Sequence, residues 1–320
     1  RGIIMGKFKS KKRDIDQESS DLFLEELQAS MADAKAQGET WEKPWFTVSV
    51  EAPTSGSTGK EYKGMNWWNL NLIANRYGWQ GQWITGKNAM DRGWILKGKK
   101  SEAFVFQPNL IPQKEDSEGI VTRKAFTIFK PIAVFNESQF DEFEAPEQPD
   151  RVDLVKIYET AEDFVKNTGA IINKSQGSRA FYNVTGHEIT IPQTDIFKDT
   201  STSTATENYY GTLFHELTHW TLKDLKRDEF VAKMYPNGGK KFGSKRYAFE
   251  ELVAEIGAAM LCQKLNISQS IRSDHAKYLN SWVEVVKEDK TVLRKACTLA
   301  QKAVEHLVSF QEQEELAEAA

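Results

Sequence analysis

Two imidazoles and a carboxylate are packed into five residues at His215-Glu216-Leu217-Thr218-His219. On a helix, positions four apart share a face, so both rings can point at one cation while Glu216 stands beside it. That set suits metal-assisted hydrolysis, with two ring nitrogens as ligands and a carboxylate placed to take a proton from a coordinated water. A catalytic zinc site needs a third protein ligand and leaves its fourth position open. About thirty residues on, Glu250-Glu251-Leu252-Val253-Ala254-Glu255 offers that ligand. With five histidines in 320 residues, a chance match to the first pattern is expected less than about once in a hundred such chains.

Spacing separates the three later carboxylates. A helix over residues 247–265 turns Leu252, Val253, Ile256, Ala259 and Met260 toward a core. Glu251 and Glu255, four apart, share a face, so one can bind metal while the other accepts from the far nitrogen of a ligand histidine. The expected assignment is Glu251 as ligand and Glu255 as orienting partner, with the reverse left open. Glu250 projects about a hundred degrees away and reads as a solvated surface charge. Zinc is the expected ion and manganese the alternative. Tyr278, Tyr210 and His275 are candidates to steady a developing oxyanion; His187 and His306 read as surface residues.

These groups need elements to position them. Tyr209, Tyr210, Leu213, Phe214, Leu217 and Trp220 supply an apolar face at helical spacing, and no Gly or Pro interrupts residues 212–228. Upstream the pattern predicts strands at 170–172, 179–183 and 187–191, the last a candidate edge for an extended peptide. A helix over 152–167 precedes them, and helices over 274–288 and 291–310 follow the ligand helix. Residues 141–150, rich in acid and proline, read as a linker. Before it come a polar arm (1–19), helices at 21–36, 67–77 and 87–92, a short strand at 83–84, and strands at 103–107 and 125–136 around a loop tip at 113–119. The expected fold class is α+β in two domains, 20–140 and 151–312, with an acidic tail at 313–320.

Composition narrows the setting. No run of about eighteen apolar residues occurs, so no membrane span is expected. The cations from Lys7 to Arg13 lack the apolar core of a secretory signal. Cys262 and Cys297 sit in apolar helical patterns and read as buried free thiols of a cytoplasmic protein. The net charge of −4 hides an asymmetry, because residues 60–130 hold twelve Lys or Arg against six Asp or Glu. Seven of the nine tryptophans (Trp41, Trp45, Trp67, Trp68, Trp79, Trp83, Trp94) fall in the first half, interleaved with Lys60, Lys63, Arg76, Lys87, Arg92, Lys97, Lys99 and Lys100. Rings for bases and cations for phosphates suit single-stranded nucleic acid, although most of these tryptophans are expected to be core.

Trp41-Glu-Lys-Pro-Trp45, Gly59-Lys-Glu-Tyr-Lys-Gly-Met-Asn66, Trp83-Ile-Thr85 and Phe135-Asn-Glu-Ser-Gln139 resemble the N-terminal domain of antirestriction proteins of the ArdC type, related to the conjugative primase TraC. The second half is similar to that family's zincin-like, gluzincin-type metallopeptidase domain. There the match runs through Ile189-Thr-Ile-Pro192, His215 to Trp220, Tyr247 to Glu255, Tyr278 and Trp282. The resemblance implies a protein of mobile DNA that binds single-stranded DNA and shields it from restriction, with a protein substrate or restriction enzyme as further partner. Trp45, Lys60, Tyr62, Lys63, Asn66, Arg76, Lys87, Lys97, Lys99 and Lys100 are the expected DNA contacts. Residues 221–227 depart from the family's commoner Gly- and Arg-containing stretch. A host-directed metalloprotease, and a DNA-binding protein with a purely structural metal, are the alternatives.

Overall fold

A computed structural model describes residues 14, 16–25, 52–77, 79–115, 121–144, 154–177, 179–197, 199, 203–236, 244–267 and 276–318. Residues 16–25 are helical (α1), so the polar arm stops short of the expected residue 19. Its last residues are docked: Asp16 accepts from Arg294 Nε at 2.6 Å, Asn69 Nδ2 donates to Ser19 Oγ at 2.7 Å, and Phe23 is fully buried. Then come α2 (Gly64–Tyr77), β1 (Trp83–Ile84) and α3 (Gly86–Asp91). Thr85 and Asn88 close a capping box that starts α3.

β2 (Ala103–Ile111) and β5 (Phe126–Asn136) form an antiparallel ribbon in register from Ala103↔Val134 to Ile111↔Phe126. β1 pairs with the base of β5, so the sheet order is β1-β5-β2. At the expected loop tip, β3 (Lys114–Glu115) pairs with β4 (Val121–Arg123), and residues 116–120 lie outside the described residues. Only the base of the ribbon is packed: Ala103, Val105 and Val134 meet Leu70, Ile73 and Trp83. Beyond Phe106 the side chains of the ribbon are mostly exposed, although the Arg294 guanidinium lies 5.9 Å from the Phe129 ring centre.

The second half opens with α4 (Leu154–Asn167), β6 (Ile171–Ser175), β7 (Phe181–Asn183) and β8 (Glu188–Pro192). β8 lies between β6, to which it is parallel, and β7, to which it is antiparallel. The strand expected to offer an edge to a peptide is therefore the central one, with both sides already hydrogen-bonded. β7 returns into β8 through a short turn ending at His187, whose φ of 53° lies in the left-handed region. β6 and β7 hold the edges.

α5 (Ala205–Trp220) begins at Thr204, whose hydroxyl accepts from Glu207 N while the Glu207 carboxylate accepts from Thr204 N. It stops at Trp220 despite the absence of Gly or Pro. Thr221 Oγ1 and Arg227 Nη2 both donate to the Thr218 carbonyl at 2.8 Å, satisfying an acceptor that another turn would have used. Left-handed Lys226 then starts α6 (Arg227–Met234). α7 (Lys245–Lys264), capped by Ser244, α8 (Ala276–Glu288) and α9 (Val292–Glu318) complete the chain. α9 runs past residue 310, so most of the expected acidic tail is helical.

One core joins both halves. Phe23, Trp67, Trp68 and Leu72 pack with Leu213, Phe214 and Leu217 of α5, Phe249, Leu252 and Val253 of α7, and Leu307 of α9. Each fully buried Leu or Phe of this kind contributes about 1.5–3 kcal/mol. Trp67 Nε1 donates to Gln263 Oε1 at 2.5 Å, and Gln263 Nε2 donates to Asn71 Oδ1 at 3.2 Å, tying α2 to α7. Cys262 and Cys297 are buried and free. Most of the expected linker (residues 145–150) lies outside the described residues.

Candidate metal centre

α5 and α7 cross at Gly257, where a β-carbon would sit only 2.5 Å from Thr218 Cγ2. Glycine is what allows the two helices to approach so closely. That approach places Glu251 between both imidazoles. His215 Nε2 is 3.4 Å from Glu251 Oε2, and His219 Nε2 is 3.5 Å from Oε1. One donor atom from each of the three lies within 4.8 Å of the others. A tetrahedron with bonds of about 2.0–2.1 Å puts its donors about 3.4 Å apart, so two nitrogens and a carboxylate oxygen fit a divalent ion here.

The outward nitrogens are held as well. His215 Nδ1 lies 3.2 Å from Glu255 Oε2, as the spacing predicted for an orienting partner. His219 Nδ1 lies 3.2 Å from Glu250 Oε1. Glu250 is thus a partner of the second imidazole, not the solvated charge expected. Its side chain is 13 % exposed and is gripped by fully buried Arg227, with Nη2 to Oε1 at 2.7 Å and Nε to Oε2 at 3.3 Å. Arg227 comes from the stretch that departs from the family pattern. Sequence reasoning missed Glu250 and Arg227, although one signal was present: two ligand histidines call for two acceptors, and only one had been assigned.

Burial opposes charge on both rings, but the carboxylates overcome it. Glu251 and Glu255 raise His215 well above the ordinary histidine value, and Glu250 and Glu251 push His219 up to about 9. Burial likewise works against ionised Glu251, and hydrogen bonds from His215 and His219 reverse it, leaving its carboxyl well below the usual range. The cluster therefore concentrates negative charge around the two imidazoles. Glu216 is buried on α5 and makes no hydrogen bond or ion pair with any described residue.

Other expected residues fall differently. Tyr210 Oη donates to Glu162 at 2.7 Å, which commits it to α4 instead of an oxyanion. Tyr278 belongs to α8, and His275 lies outside the described residues. His187 stacks on Trp220 at 4.8 Å with Nδ1 2.9 Å from Tyr182 Oη, and His306 Nε2 is 3.3 Å from Asp224, so neither histidine is a bare surface group.

Among the expected DNA contacts, Trp45 lies outside the described residues. Lys63 pairs with Glu305, Arg76 with Glu25, Lys99 with Asp141 and Lys100 with Glu102. Asn66 is consumed by the Phe106 backbone, donating at 3.0 Å and accepting at 2.8 Å. Tyr62 is half-buried against the ribbon base. Lys60, Lys87 and Lys97 are exposed. Trp67, Trp68 and Trp83 are sealed in the core, and their aromatic faces are not available to a base.

Comparison with known proteins gives this arrangement a class. Residues 159–299 match the zincin-like metallopeptidase family, and residues 20–135 match the N-terminal domain of anti-restriction factor ArdC. The class is a zincin-like domain behind an ArdC-type N-terminal domain. The metal-free crystal structure of antirestriction protein ArdC from plasmid R388 is 31% identical, with 92% of this chain and 98% of that one covered at a TM-score of 0.64. Its Mn(II)-bound form gives 30%, 93%, 98% and 0.63. The chain belongs to the ArdC antirestriction family. It is also 29% identical to an Escherichia coli DNA primase TraC over 88% of its own length. The chain spans only 19% and 28% of the two TraC primases it matches. The zincin-like domain, the donor cluster and the manganese-bound relative together indicate a divalent-metal site. No described helix is long and apolar enough to cross a membrane.

Proposed function

We propose that this chain protects incoming mobile DNA from restriction, holding it as single strands on the first half, in the recipient's cytoplasm. The second half is read as a metal-dependent peptidase acting on a protein partner, with His215, His219 and Glu251 as ligands and zinc as the first-choice ion. The observation that carries the catalytic part is the pair of Nε2 atoms facing one carboxylate, each ring held from behind by a second carboxylate. Structural zinc sites are closed by four protein ligands, whereas three here leave a fourth position open.

A divalent ion held there would supply Lewis acidity and lower the pKa of a coordinated water toward about 7. Glu255 and Glu250 accept the Nδ1 protons, keeping both Nε2 lone pairs turned inward. Glu216 takes the proton from the attacking water and returns it to the departing amine. Its burial beside the ligands favours this role, since few competing partners hold it.

The test is survival of unmodified DNA entering a restricting recipient that makes this protein. The reading expects protection to fail when the unpaired cations of the first half are replaced by alanine. Protection that survives those changes but disappears with Glu216→Gln would replace the reading with a protease directed at a host protein.

A further inference from the structure

Trp67, Trp68 and Trp83 are buried, and Trp79 and Trp94 are half-buried, so the exposed phenylalanine rings of the first half are considered as a stacking surface for a DNA strand. Phe126 and Phe129 are 45% and 43% exposed, and Ile128 and Leu110 are exposed beside them on the projecting part of the β2–β5 ribbon. Register sorts them. Phe126, Ile128 and Lys130 share one face with Ile111, Asn109 and Gln107, while Phe129 and Thr127 share the other with Pro108 and Leu110. The first of these faces is the outward continuation of the one that packs on α2 through Val105 and Val134.

Cations accompany these rings. Residues 121–136 contain Arg123, Lys124 and Lys130 and no acid. The Arg123 guanidinium sits 5.5 Å from the Phe126 ring centre, and Arg123 Nη2 donates to the Pro112 carbonyl at 3.1 Å. Among the described residues none of these three cations makes an ion pair, whereas Lys63, Arg76, Lys99 and Lys100 each do. Exposed rings alone would suit a protein partner equally well. An unneutralised cation on each side of an exposed ring suits a polyanion whose bases are free to stack.

We propose that this projecting ribbon, at Phe126 and Phe129 with Arg123, Lys124 and Lys130, is the surface that grips an unpaired DNA strand. The proposal rests on the single-strand reading above and moves its location away from the tryptophan-rich helices. A base stacks on each phenylalanine, one on either face of the ribbon, and the three cations take phosphates. Sequence preference is low, because every base offers a face to stack upon.

The test is fluorescence anisotropy of the full chain with labelled oligothymidylate and with a duplex of equal length, at two salt concentrations. Three double variants are compared: Phe126→Ala with Phe129→Ala, Lys124→Ala with Lys130→Ala, and Lys87→Ala with Lys97→Ala. All six side chains are exposed, and melting curves verify that each variant folds. Loss of the rings is expected to weaken single-strand binding by about 5- to 150-fold for each stacked base. Loss of Lys124 and Lys130 should flatten the salt dependence by about 1.4 logarithmic units per decade. The Lys87 and Lys97 variant, which removes two of the cations expected from the sequence, should lose less affinity than the Lys124 and Lys130 variant.

Wild-type binding by the ribbon variants, with loss in the Lys87 and Lys97 variant, would overturn the ribbon while leaving the single-strand reading intact. Failure of the wild type itself to bind oligothymidylate would remove that reading first. Ribbon variants that change oligomeric state in light scattering without altering DNA binding would assign the surface to a second copy and overturn the proposal.

Discussion

Gly257→Ala tests whether the approach of α5 to α7 sets the metal centre. The new methyl would lie 2.5 Å from Thr218 Cγ2 and 2.7 Å from Thr218 Oγ1. Carbon–carbon contacts become favourable near about 3.5 Å, so the helices must part by about 1 Å at the crossing. Thr218 cannot swing aside freely, because it is fully buried and its hydroxyl donates to the Phe214 carbonyl at 2.8 Å. Overpacking of this size costs about 1–3 kcal/mol, or a melting temperature lower by roughly 2–10 °C. Glu251 lies less than two turns before Gly257 on the same rigid helix. A similar displacement there would widen the 3.4 and 3.5 Å donor spacings beyond what bonds of about 2.1 Å can close.

Zinc affinity should therefore fall by about tenfold or more, which removes about 1.4 kcal/mol or more of ligand-induced stabilisation at a fixed zinc excess. Thermal unfolding with and without added zinc, alongside chelator competition, reads both effects. Thr218→Ala in the same chain should restore part of each, because a β-carbon at 3.2 Å would then be the nearest remaining obstacle. A Gly257→Ala protein with wild-type melting temperature and undiminished zinc stabilisation would refute the reasoning.

Glu216→Gln should keep its metal and its fold, yet lose about 10²–10⁴ in peptide turnover; an unaltered rate in a peptidase assay would remove Glu216 as base. Glu250→Gln and Glu255→Gln should each weaken metal binding about 10- to 100-fold, measured by chelator competition, and equal affinities in all three proteins would mean the rings are held by something else. Arg227→Met leaves Glu250 buried without its cation, and denaturant unfolding should report a loss of about 3–5 kcal/mol. The metal-free protein should also lose stability as pH rises. His219, lifted from 6.5 to about 9, contributes fully below about 6.5, and that contribution disappears by about pH 9. Metal binding at neutral pH must accordingly expel protons, so calorimetry in buffers of different ionisation enthalpy should give different apparent heats.

The regular elements and the pairing of two histidines on one helix were legible in the chain because they depend on near neighbours. A four-residue spacing puts His215 and His219 on one helical face whatever else the protein does. The same rule linked Glu251 to Glu255, without saying which histidine either would meet. It failed for Glu250, whose place is set by Arg227 on another helix and by the rotation of α7 against α5. Helical periodicity states which residues share a face, not which of two faces meets a partner.

Strand positions were readable for the same local reason, but strand order was not. β8 became the central strand because β6 and β7 both pair with it, and pairing is decided between segments distant in sequence. The tryptophans show the limit from the other side. Composition could place rings and cations in one region, yet burial depends on what packs above each ring, and α2 turns Trp67 and Trp68 into a core built mainly by the second half. Chemistry written in short spacings belonged to the sequence. The partner of each group across the molecule, and the exposed ribbon left over once the core had closed, belonged to tertiary packing, where contacts between remote segments set both distance and solvent exposure.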